Sequence, residues 1–79
     1  MRQAPRGITA RRLIQALGAD GFRVIRIRGS HHIYRHGDGR RVVVAYHSLG
    51  ETFPVGTLKA MLDDIGWDVA DLERLGLRM

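Results

Sequence analysis

The sequence predicts a small two-layer α+β domain of αβββα order, with a three-stranded antiparallel sheet, helices on one face of it and a short C-terminal helix. Three observations predict it. Apolar residues recur at helical spacing in two stretches, one towards each end of the chain. Between them lie alternating and β-branched segments separated by glycine-containing turns. A chain of 79 residues has room for one hydrophobic core, so these elements must share it.

Taken in order, Thr9 suits the N-cap of a helix over residues 10–19, with Leu13, Ile14 and Leu17 on its buried face and Gly21 closing it. Residues 22–28 (Phe-Arg-Val-Ile-Arg-Ile-Arg) read as a strand, alternating from Arg23 onward. Gly29-Ser30 fits a two-residue type II′ turn, which takes glycine first. Residues 31–36 form the second strand, Gly37-Asp38-Gly39 turns the chain, and residues 41–47 form the third. After a loop over 48–54, Leu58, Met61, Leu62 and Ile65 mark a helix over 55–65 that stops at Gly66. Asp68 can cap a last short helix carrying Val69, Leu72 and Leu75, ended by Gly76. Residues 1–79 are thus expected to be a single domain, with its core in 9–66 and a C-terminal helical extension in 67–79. The order is that of double-stranded-RNA-binding domains, although a fold alone assigns no function.

The turn sets a register. With Gly29-Ser30 as the turn, Arg28 pairs with His31, Ile27 with His32, Arg26 with Ile33 and Ile25 with Tyr34. Ile25, Ile27, His32 and Tyr34 then face the helices. Arg26, Arg28, His31 and Arg35 share the open face.

Charge points to the partner. Residues 1–41 hold ten of the thirteen basic residues and two of the eight acidic ones. Twelve of the thirteen cations are arginine, whose planar guanidinium binds phosphate in a bidentate manner. Such a one-sided field suits a polyanion, with nucleic acid ahead of anionic lipid because no basic amphipathic helix stands out. An arginine-rich solvated surface has the same composition. Absence of cysteine excludes disulfides, thiolate nucleophiles and cysteine-based zinc sites. No signal-peptide pattern or bilayer-length apolar run is present, so no membrane association and a cytoplasmic location are expected. The glycines lack the spacing of nucleotide-binding loops.

All four histidines, His31, His32, His36 and His47, lie between positions 31 and 47. Histidine exchanges protons near neutral pH, and arginine can hold a phosphate and stabilise the charge that develops on it. His31 among arginines therefore has the ingredients of metal-independent RNA cleavage. The other three have plainer readings: His32 as a hydrogen-bonded residue on the packed face, His36 as a solvated residue at a turn edge, and His47 at the end of the third strand, next to Ser30. Few carboxylates lie nearby, so neither metal nor cofactor is expected.

Arg11-Arg12-Leu13-Ile14 through Asp20-Gly21-Phe22, then Arg28-Gly29-Ser30-His31-His32-Ile33-Tyr34, resembles the HicA toxin family. The likeness continues through Val42-Val43-Val44, His47 and Pro54-Val55-Gly56-Thr57-Leu58-Lys59-Ala60-Met61-Leu62, covering about residues 9–66. The resemblance implies an endoribonuclease that cleaves mRNA without metal, a catalytic histidine at His31, and a HicB-type antitoxin partner that covers the site. Arg26, Arg28, Ser30 and Arg35 are the expected RNA-binding residues, with His47 in possible support. Ala45 stands where family members usually carry proline. The alternative is a non-catalytic RNA-binding module of the same fold.

Overall fold

The computed structural model describes residues 7–77. Helix α1 (Ala10–Ala19) starts where Thr9 Oγ1 accepts the Arg12 N–H at 3.2 Å. Its first two donors are also satisfied: the Ala10 and Arg11 N–H groups donate to the Glu51 and Leu49 carbonyls at 2.9 and 3.0 Å. Asp20 forms the C-cap, and Gly21, at φ +95°, turns the chain into the sheet.

Strands β1 (Phe22–Arg28), β2 (His31–His36) and β3 (Arg41–Ala45) form an antiparallel sheet in the order β1-β2-β3. Gly29 has φ +57° and Ser30 does not have a positive φ, as the type II′ turn requires. Strand β3 ends at Ala45 rather than His47. The Tyr46 N–H donates to the Ser30 carbonyl at 3.0 Å, so Tyr46 rather than His47 sits beside Ser30.

The expected β1–β2 register holds for Arg28↔His31, Ile27↔His32 and Arg26↔Ile33, then shifts. Tyr34 pairs with Val24 instead of Ile25, which makes Ile25 the extra residue of a β-bulge. The cause lies in the strand's composition. Phe22 must enter the core, where it is 3% exposed, while Arg26 and Arg28 must stay on the open face. An unbroken alternation cannot satisfy both requirements, because all three positions are even. The bulge reverses the phase between them.

Tyr34, Val42 and Val44 are buried on one face of the sheet, against Leu13 and Leu17 of α1 and Leu58, Leu62 and Ile65 of α2 (Val55–Ile65). The helices cover the Phe22 end of β1 but not its remainder. Val24, Ile25 and Ile27 are 45, 55 and 60% exposed, contrary to the expectation that Ile25 and Ile27 are packed. Ile27 does share the face of His32, but β1 is an edge strand and that part of the face lies bare.

Asp68 caps α3 (Val69–Arg74) in a reciprocal capping box with Asp71. Trp67, Leu72 and Leu77 belong to the same core cluster as α1 and the sheet. Tertiary packing therefore extends past residue 66.

Candidate active site

Register alone assigns the residues of the open sheet face: Arg23, Arg26 and Arg28 from β1, His31, Ile33 and Arg35 from β2, and Arg41, Val43 and Ala45 from β3. Five arginines share this face, and the three strands contain no carboxylate. Arg23 and Arg41 were not anticipated as site residues. The bulge brings Arg23 onto this face, and the sequence signal for it was the conflict of phase between Phe22 and Arg26.

His31 is exposed at the turn end of the sheet, directly between Arg28 and Ala45. Arg28 lies within about 5.5 Å of it backbone to backbone, and Arg26 is the diagonal neighbour at about 7–8 Å. Ala45 has the smallest side chain on the face, so the β3 side of His31 is uncluttered. Ser30 precedes His31 as the second turn residue. Arg35 stands apart, four residues along β2 and about 13 Å away at the rise of an antiparallel strand. His47 lies in the loop after β3, with its backbone N–H donating to the Glu51 carboxylate. The fold thus gathers Arg26, Arg28, Ser30 and His31 at one end of the sheet, with His47 following Tyr46 at that same end, and leaves Arg35 at the other.

The remaining histidines have structural partners. His32 Nδ1 lies 3.2 Å from the Val44 carbonyl, and its ring stacks on Tyr46 with centroids 4.1 Å apart. His36, expected to be solvated, is bonded at both nitrogens: Nε2 to the Asp20 carbonyl at 2.7 Å, Nδ1 to the Asp38 N–H at 3.1 Å. It also meets Phe22 edge-on. Among the described residues, no three histidine, aspartate or glutamate side chains converge to hold a metal ion.

The cations divide in the same way. Arg12 donates to the Gly76 carbonyl at 2.7 Å, and Lys59 pairs with Asp63. Arg40 pairs with Asp38 and Asp20, and lies over the Phe22 ring. Arg74 pairs with Asp20 and Asp71. Burial works against ionisation of Asp20, but the Trp67 indole N–H, the Arg74 hydrogen bond and the charges of Arg40 and Arg74 hold its pKa below the usual carboxylate range. By contrast, Arg23, Arg26, Arg28, Arg35 and Arg41 form no ion pair or side-chain hydrogen bond with any other described residue. The arginines that hold the fold together are on the helix side, and all five on the open sheet face are uncompensated, as is Arg11 on α1.

Such a face can hold phosphate groups and carries one imidazole, His31, the side-chain type suited to general acid–base work, beside arginines that stay charged. Among the described residues, no helix is long and apolar enough to cross a membrane. The family model described as the HicA toxin of bacterial toxin–antitoxin systems matches residues 10–67. No curated protein matches the chain.

Proposed function

The chain belongs to the HicA toxin family of bacterial toxin–antitoxin systems, and from that premise we propose that it is a metal-independent endoribonuclease that cleaves mRNA through His31. The observation that carries this reading is His31 itself. It is the one imidazole on a sheet face that carries five uncompensated arginines, and imidazole is the side chain most often used as a general base. His31 takes the proton of a ribose 2′-hydroxyl, and the 2′-oxygen attacks the adjacent phosphorus. The bond to the 5′-oxygen breaks, and that oxygen takes its proton from solvent. The products are a 2′,3′-cyclic phosphate and a 5′-hydroxyl. Arg28 and Arg26 hold the phosphate and offset the charge that builds on it. Ser30, in the turn beside His31, joins them in binding the RNA, and His47 supports the site from the chain that follows β3.

In this reading the protein acts in the cytoplasm, its partners are mRNA and a HicB-type antitoxin, and the antitoxin silences it by covering the exposed face around His31. The test is induced expression of the wild type beside His31→Ala, following growth and bulk mRNA. The expected result is arrest and mRNA loss with the wild type alone, a general base contributing about 10²–10⁴-fold to rate. If neither chain harms the cell and the purified wild type binds RNA without cutting it, the protein is a binding module. If both chains are toxic, His31 is not the catalyst.

A further inference from the structure

Three arginines stand abreast at the end of the sheet away from His31. In β2, Arg35 has Arg23 of β1 directly opposite on one side and Arg41 of β3 directly opposite on the other. Like charges directly opposite across strands are destabilising, and this row places three together. The structure does nothing to relieve the repulsion: none of the three pairs with a described carboxylate, although Asp38 lies in the adjoining turn. Asp38 is turned to Arg40 and His36 instead. The row also depends on the bulge at Ile25, since unbroken alternation from Arg28 would have sent Arg23 to the helix side. Arg23, Arg35 and Ile25 line a shallow depression with Val24, His36 and Gly37 at this same end.

We propose that Arg23, Arg35 and Arg41 form a second phosphate-binding subsite, which grips the backbone of the RNA strand whose scissile phosphate sits at His31. The proposal rests on the ribonuclease reading for the position of the scissile group, and on the arginine row alone for the anion. Four residues of β2 separate His31 from Arg35, which is about 13 Å. A stacked strand advances about 3.4 Å per nucleotide and an unstacked one about twice that, so the subsite takes a phosphate some two to four nucleotides from the cut. Between the two ends the open face presents Arg26, Ile33 and Val43 and no aromatic ring, so the grip is on phosphate rather than on stacked bases.

The experiment compares the wild type with Arg23→Gln/Arg35→Gln/Arg41→Gln, measuring binding of uncleavable 2′-O-methyl oligonucleotides of two to eight residues by fluorescence anisotropy. Wild-type affinity should climb between the dimer and about the pentamer and then flatten. The variant should bind the dimer equally well and lose the climb, binding the octamer about tenfold or more weakly at low salt. Its melting temperature should be unchanged or higher, because a repulsion has been removed. That result also excludes misfolding as the cause of the weaker binding. A variant that keeps the wild-type length dependence, or loses dimer and octamer affinity alike, overturns the subsite. Because these probes cannot be cut, the result stands apart from the ribonuclease reading. Failure of the wild type to cleave ordinary RNA, with the length dependence intact, would refute the cleavage reading and leave the subsite in place.

Discussion

The substitution Gly21→Ala tests the joint between α1 and the sheet, and its cost can be worked from two separate distances. Gly21 sits at φ +95°, a conformation that costs a residue with a side chain about 1–3 kcal/mol. A Cβ placed there comes within 2.9 Å of His36 Nε2, and the three heavy atoms nearest to it all belong to the His36 ring. That ring cannot retreat freely, because Nε2 is bonded to the Asp20 carbonyl at 2.7 Å and its edge packs on Phe22. Displacing it forfeits a hydrogen bond of about 0.5–1.5 kcal/mol and part of a ring contact of similar size. The expected total is about 2–4 kcal/mol, a large share of what a domain of this length commands. Urea unfolding of the wild type, Gly21→Ala, His36→Ala and the double variant forms a closed cycle. The steric part vanishes once His36 is gone, so the double variant should be more stable than the two single losses predict, by about 1 kcal/mol. Additivity within about 0.3 kcal/mol, or a Gly21→Ala cost below about 0.5 kcal/mol, would refute the steric account.

Other perturbations have equally definite outcomes. Asp20 has a lowered pKa in the fold, so it binds fewer protons folded than unfolded; its stabilisation is present above the unfolded pKa and is lost as pH falls through the folded one. Thermal melts from pH 6 down to about 2 should therefore show a decline below about pH 4 that is shallower in Asp20→Asn. Leu72, 2% exposed in α3, should cost about 2–5 kcal/mol on truncation to alanine, measured by denaturant titration, because α3 is core and not an appendage. For RNA binding by the His31→Ala chain, the slope of log affinity against log salt should approach about −3.5 if all five sheet arginines meet phosphates of a single strand. Arg12→Gln, whose arginine is engaged with Gly76, should leave that slope unchanged.

The helices were readable because their apolar spacing, caps and stop signals agree. Thr9, Asp68 and Gly66 each sit where their local chemistry belongs. The hairpin near His31 was readable for the same reason, a glycine in the one position where the turn needs it. The bulge was not read, because alternation counted from Arg23 onward leaves out Phe22, the residue whose burial forces the change of phase. Bareness of Ile25 and Ile27 depends on how far the helices reach across the sheet, which no strand pattern encodes. His36 was misread for want of a tertiary partner: its acceptor is a backbone carbonyl sixteen residues away. The candidate site was accordingly legible in part: Arg26, Arg28, His31 and Arg35 stand on the expected face, whereas Arg23 and Arg41, which complete the row with Arg35, were unseen.

The gathering of five uncompensated arginines on the open sheet face has a consequence for how the molecule would meet a polyanion. The three helices with their capping residues carry four basic and six acidic side chains, whereas the strands carry five basic and none acidic. Folding thus converts a gradient along the chain into a dipole normal to the sheet. A polyanion diffusing towards the protein would be drawn to the sheet side before any contact forms. The encounter is oriented at a distance, and raising the ionic strength would slow association well before it disturbs the fold.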